Sequence, residues 1–188
     1  MGLMLAIHKQ RSVARCLFNN FTHRMNRQMA VPEFPADREL VFTRLIDAPR
    51  ANVWRCWTDA DLLKRWFAPA PLKVTQAQVD VRPGGISCLT MQLPDGTETP
   101  NEGVYLEVIE GRKLVFTDAF TAAWQPKEGA PFMVATITLD DEEGKTRYTA
   151  CVRHWSTDAA RQHENMGFHS GWDACATQLE ALASTRLA

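Results

Sequence analysis

The chain has 188 residues, 45% of them hydrophobic and 23% charged, and a formal net charge of −1. This is a globular composition, long enough to bury a sizeable core and unlike that of a disordered chain. A charge so close to zero points to no nucleic-acid partner or acidic substrate, and no run of about 18 apolar residues exists to form a membrane span.

The first 32 residues stand apart. They carry Lys9, Arg11, Arg15, Arg24 and Arg27 and no acid, the first being Glu33. A basic, acid-free segment resembles an organelle transit peptide. The blander readings are favoured: a disordered extension, or a start assigned too far upstream, with Met25 and Met29 available. Pro32 and Pro35 mark a linker. Residues 1–37 are therefore read as a basic extension and linker, and residues 38–184 as one domain. Of the 21 basic residues, five lie in the tail, leaving 16 against 22 acidic ones.

Residues 39–46 (ELVFTRLI) are rich in β-branched and apolar residues and predict a first strand. Asp47 then offers a cap, and Pro49 stands at the first turn of a short helix with Val53, Trp54 and Trp57 on its apolar side. Thr58 and Asp61 resemble a capping box for a second short helix containing Leu62, Leu63, Trp66 and Phe67, ended by Pro69 and Pro71.

A meander follows. Strands are predicted over residues 72–81, 86–93, 103–109, 113–120, 132–139 and 147–155. The turns between them include Arg82-Pro83-Gly84-Gly85, Pro94-Asp95-Gly96 and Glu110-Gly111-Arg112, whose chemistry favours hairpins over crossovers. The acidic run Asp140 to Glu143 reads as a solvated hairpin tip. Ser156-Thr157-Asp158 caps a final helix predicted to run unbroken to about Ser184. Phe168, Trp172, Cys175, Leu179 and Leu182 recur at steps of 4, 3, 4 and 3, one stripe on one face. Trp57, Trp172, Leu179 and Leu182 are read as core.

The order is strand, two short helices, six antiparallel strands and a long helix. A bent sheet needs something in its concave face, and the amphipathic last helix is the element long enough to lie there. The fold class is α+β, a curved antiparallel sheet wrapped around a C-terminal helix.

The residues show little catalytic chemistry. Cys16, Cys56, Cys88, Cys151 and Cys175 are odd in number and widely spaced, without a CxxC. They suggest a reducing cytosol, not a disulfide framework. His163 and His169 are six apart on a helix and share no face, and no zinc spacing occurs, so no metal and no cofactor are expected. Gly167-Phe168-His169-Ser170-Gly171 misses the nucleophile-elbow pattern by one place. Cys151 and His154, three apart on a strand, point to opposite faces.

Val53-Trp54, Thr58-Asp59, Leu63 with Trp66-Phe67-Ala68-Pro69, Asp80-Val81-Arg82-Pro83-Gly84-Gly85, Asp95-Gly96, Gly103 with Glu107-Val108, Lys113-Leu114-Val115-Phe116-Thr117 and Gly171-Trp172 with Leu179 together resemble the START-like, SRPBCC superfamily. More narrowly they resemble the bacterial relatives of the domain named after activators of the 90-kDa heat-shock chaperone ATPase. The resemblance spans residues 39–183. It implies the helix-grip (Bet v 1-like) fold, with a long helix closing a deep cavity. The superfamily includes lipid carriers, hormone receptors, polyketide cyclases and chaperone-activating domains, so fold alone leaves activity open. The eukaryotic activators carry a further N-terminal domain that grips the chaperone. About 35 residues precede the first strand here, which argues against that role.

Aromatic and Met residues suit an adaptable apolar pocket. The candidate ligand-binding set is Trp66, Phe67, Met91, Tyr105, Phe116, Phe120, Trp124, Met133, His154, Met166 and Phe168. Polar candidates are Glu107, Asp118, Arg153, His154, Glu164 and His169. His154 and Glu164 are the acid/base candidates if the protein is an enzyme. Residues 120–131 are read as a flap or an ordinary long connection. Three functions stay open: a cytoplasmic binding module for a small hydrophobic molecule, a cyclase- or hydrolase-like enzyme, and a chaperone or stress-related interaction module. The protein is expected to be a monomer or a homodimer. Packing is expected to loosen into a cavity between Glu164 and His169.

Overall fold

The computed structural model describes residues 33–129 and 132–185. The expectations for residues 1–32 lie outside these.

Strand β1 (Glu39–Ile46) alternates between faces, turning Leu40, Phe42, Arg44 and Ile46 inward while Val41, Thr43 and Leu45 stay exposed. Helix α1 (Arg50–Thr58) follows Pro49, whose carbonyl accepts the Asn52 and Val53 N–H groups at 2.9 and 3.2 Å. Asp47 does not cap it. Its N–H donates to Glu180 at 3.1 Å and its carboxylate meets Lys145 at 3.3 Å.

Helix α2 (Ala60–Trp66) is capped by Asp59 and not by the expected Thr58. Asp59 has the extended backbone a cap needs (φ −102°, ψ 120°), and its Oδ1 accepts the Asp61 and Leu62 N–H groups at 2.9 and 3.1 Å. Thr58 still belongs to α1, so its hydroxyl turns back to the Trp54 carbonyl at 3.0 Å.

Seven strands form one sheet in the order β1-β9-β8-β5-β4-β3-β2, with every neighbouring pair antiparallel. They are β1, β2 (Lys73–Val79), β3 (Ile86–Gln92), β4 (Glu98–Ile109), β5 (Lys113–Thr117), β8 (Met133–Glu142) and β9 (Lys145–His154). Register shifts at Val74/Gln76 and Tyr105/Glu107 are places where such a sheet bends. The β8–β9 hairpin runs further than expected. Asp140, Asp141 and Glu142 pair with Arg147, Thr146 and Lys145, and the Arg147–Glu142 bridge at 2.6 Å closes it.

Strand β5 stops earlier than expected, at Thr117. The Thr117 hydroxyl donates to the Met133 carbonyl, and the Asp118 carboxylate accepts the Phe132 and Met133 N–H groups at 2.8 and 3.0 Å. These bonds turn the chain into a small hairpin of β6 (Phe120–Thr121) and β7 (Gln125–Pro126) around a 3-10 turn at Ala122–Trp124.

The predicted single C-terminal helix is two. Ser156 Oγ accepts the Ala159 N–H and opens α3 (Thr157–Asn165). The Met166 and Gly167 N–H groups close onto the Gln162 and Glu164 carbonyls. Gly167 then takes φ 92°, a conformation that costs glycine little, and α4 (Phe168–Ala183) starts in a new direction. The apolar stripe falls wholly on α4. Phe168, Cys175, Leu179 and Leu182 are buried, and Trp172 is partly so.

The core lies between the sheet and these helices. Trp57 is its centre, with ring centroids 4.9 Å from Trp66, 5.5 Å from Phe67, 6.3 Å from Tyr148 and 6.4 Å from Trp172. Burying an apolar side chain of this kind contributes about 1.5–3 kcal/mol. This aromatic cluster locks α1, α2, α4 and β9 together and sets the floor on which the site rests.

Candidate functional site

A cavity of about 360 Å³ opens where α3 gives way to α4. Trp66, Phe67 and Pro69 form its wall at the end of α2. Met91 and Asn101 come from β3 and β4, and Phe132 and Met133 from the start of β8. His163, Met166, Gly167 and Phe168 close it from the helix break, with Gly171, Trp172 and Cys175 one and two turns along α4. Apolar groups dominate, as in sites for small organic molecules. Met166 is 70% exposed and stands at the rim.

Of the eleven expected ligand-binding residues, the wall brings together Trp66, Phe67, Met91, Met133, Met166 and Phe168. The other five lie elsewhere. Tyr105 is buried edge-on to Phe116 at 6.3 Å, and burial pushes its hydroxyl up to about 12. Phe116 packs against Trp57 at 6.1 Å. Phe120 and Trp124 sit in the small hairpin formed after β5 ends, 6.2 Å apart. Trp124 is 48% exposed and covers Gly84, where a Cβ would come within 2.8 Å of the indole nitrogen. His154, only 2% exposed, lies one layer behind the wall.

The polar candidates are mostly engaged in holding the fold. Lys113 binds Glu107 at 2.8 Å, Asp118 caps the β8 backbone, and Arg153 binds Glu39 at 2.7 Å. Glu164 and His169 are exposed. The described cysteines, Cys56, Cys88, Cys151 and Cys175, are poor nucleophiles, each raised by burial. Burial pushes Cys151 up to about 11 and Cys175 up to about 12, and the Cys175 thiol donates to the Phe67 carbonyl at 3.2 Å. Among the described residues no three His, Cys, Asp or Glu gather as a metal site.

His163 is the functional candidate the sequence reasoning passed over. Sequence alone relates it only to His169, as a metal ligand. His163 lies one turn after the buried Ala160, which places it on the inner face of its helix. Its Nδ1 lies 3.0 Å from His154 Nε2, and His154 Nδ1 lies 3.2 Å from the Arg38 carbonyl. Phe132 and Phe168 flank the His163 ring at 5.1 Å each. Burial first, then the neighbouring His154, lowers the His163 imidazole to about 4. It is a neutral base set in an apolar wall.

Residues 47–184 match the family described as Activator of Hsp90 ATPase homolog 1-like protein. The chain belongs to this family. Its structure is similar to that of a Nitrosomonas europaea protein determined by X-ray crystallography, with 40% identity and a TM-score of 0.76 over 79% of this chain and 96% of that one. A Staphylococcus epidermidis protein solved by NMR is 26% identical, with a TM-score of 0.68 over 80% and 92% of the two chains. An AHSA1-like protein from Aeromonas hydrophila, 19% identical with a TM-score of 0.63 over 80% and 97%, shares the fold. The comparison with curated proteins gives no match. The AHSA1-like family and the helix-grip fold expected from the motifs are thus established. No helix among the described residues is long and apolar enough to cross a membrane.

Proposed function

We propose that this AHSA1-like protein binds a small apolar or aromatic molecule in the cavity beside Gly167. The observation that carries the reading is the wall itself. Aromatic and Met side chains from both sides of the fold surround about 360 Å³ beside the break between α3 and α4. His163, Asn101 and Cys175 are the polar or titratable groups in that wall, too few and too scattered for an evident catalytic set. The free Cys56, Cys88, Cys151 and Cys175 favour a reducing compartment such as the cytoplasm.

The test uses N-phenyl-1-naphthylamine fluorescence with the full chain. Saturable binding in the micromolar range is expected. Gly171 lies in the wall, and a Cβ there meets no atom within 4 Å. Gly171→Leu should therefore fill the cavity and abolish probe binding while leaving the fold intact. Unchanged binding in that variant would place the probe elsewhere and remove the reading.

The family's description supports a second reading, stimulation of an Hsp90 ATPase. Adding the purified chain to that ATPase tests it directly, and an unaltered rate excludes it.

A further inference from the structure

We infer that the cavity selects a ligand that donates a hydrogen bond, such as a phenol or an indole-type N–H, with His163 Nε2 as its acceptor. This rests on the ligand-binding reading above and adds the chemical class of the ligand.

The assignment follows from a chain of hydrogen bonds with a fixed direction. A carbonyl oxygen only accepts, so His154 Nδ1, 3.2 Å from the Arg38 carbonyl, must carry its hydrogen. When the His154 ring is neutral it has one N–H, which leaves its Nε2 with a lone pair. The hydrogen between His154 Nε2 and His163 Nδ1, 3.0 Å apart, therefore belongs to His163. With Nδ1 as its donor, His163 keeps a lone pair on Nε2.

That lone pair has no hydrogen-bond partner among the described residues. The buried side-chain polar atoms without a partner are Trp57 Nε1 and Tyr148 Oη, so His163 Nε2 is not sealed in the protein but reachable. The Phe132 and Phe168 rings beside it offer no donor. The Cys175 thiol is already committed to the Phe67 carbonyl. Burial holds His163 neutral down to about 4, so the acceptor form persists at neutral pH. A ligand without a donor would cover this nitrogen and leave it unpaired, which is how buried polar atoms discriminate between otherwise similar ligands. His154 is a positioning residue: it fixes which ring nitrogen of His163 faces the ligand.

Two experiments test this on the full chain. Long-range ¹H–¹⁵N correlation spectra at about pH 8, above the ordinary imidazole range, should show the Nδ1–H tautomer for both His154 and His163. An Nε2–H tautomer for His163 overturns the assignment, and this measurement needs no variant. Titration with 2-naphthol and 2-methoxynaphthalene should then show the naphthol binding about three- to tenfold tighter, the range of one neutral hydrogen bond. His163→Phe should bring the two affinities together while still binding the methyl ether. Equal affinities in the unmodified protein overturn the acceptor role and leave the cavity reading standing. Failure of both naphthalenes to bind overturns both.

Discussion

Arg44 on β1 and Glu180 on α4 form an ion pair, with Nη2 and Oε2 2.7 Å apart, that ties the edge strand to the C-terminal helix. Arg44 also donates to Thr177 Oγ1 at 2.7 Å and to Asp173 Oδ1 at 3.2 Å. Glu180 accepts the Asp47 N–H through its other oxygen at 3.1 Å. Both side chains of the central pair are about three-quarters shielded, whereas Asp173 is 65% exposed. Glu180→Ala should cost about 1.5–3 kcal/mol, the range for hydrogen bonds to charged groups. Asp173→Ala should cost under about 1 kcal/mol. Urea unfolding of both variants checks this, and equal losses would contradict it.

Tyr148 makes the opposite case. Its hydroxyl is buried in the aromatic core without a hydrogen-bond partner among the described residues. Tyr148→Phe removes the unpaired group and keeps the ring packing. Stability should be unchanged or rise by about 1 kcal/mol, read from the midpoint of urea unfolding. A loss of that size would mean the hydroxyl is satisfied in solution.

His163 predicts a pH dependence of stability. Its imidazole ordinarily titrates near 6.5, and in the folded chain it does so at about 4. Between these values the unfolded chain binds more protons than the folded one. The contribution is therefore fully present above 6.5 and is lost as pH falls toward about 4. His163→Phe should flatten the slope of unfolding midpoint against pH in that window. An unchanged slope would assign the dependence to other groups.

Gly167 sits at φ 92°, and a Cβ there would also lie 3.0 Å from Ser170 Oγ. Gly167→Ala should cost about 1–2 kcal/mol, the penalty for an L-residue in left-handed backbone. Thermal or urea unfolding measures it. A neutral result would mean that the two helices join in another way.

Much of the fold was legible because its signals are local. Turn residues bounded the meander, and the stripe from Phe168 to Leu182 set the buried face of the last helix. The break before that stripe was not legible. A helical pattern tolerates a glycine, and nothing in Met166-Gly167 distinguishes a tolerated one from a left-handed one. Thr58 and Asp59 both favour a cap, and only the end of α1 decides between them. At the site, apolar character picked out Trp66, Phe67, Met91, Met133, Met166 and Phe168, yet it equally picked out Tyr105 and Phe116, which packing sends elsewhere. His163 was missed because its meaning depends on His154, which the sheet brings to it from another element.

The glycine between α3 and α4 also divides the mechanical attachment of the cavity's lid. On one side, α3 is fastened to the turn that leads into β1 and to β9, through Thr157–Asp37 and His163–His154. On the other, α4 is fastened to β1 through Arg44 and to the end of α2 through Gln178, which donates to the Trp66 and Ala68 carbonyls. Each side has its own anchors, and among the described residues Gly167 bonds only within its own helices. A small change in the angle between the helices would alter the room inside without detaching either, so, on the proposed binding role, one backbone pivot would fit the same wall to molecules of different girth.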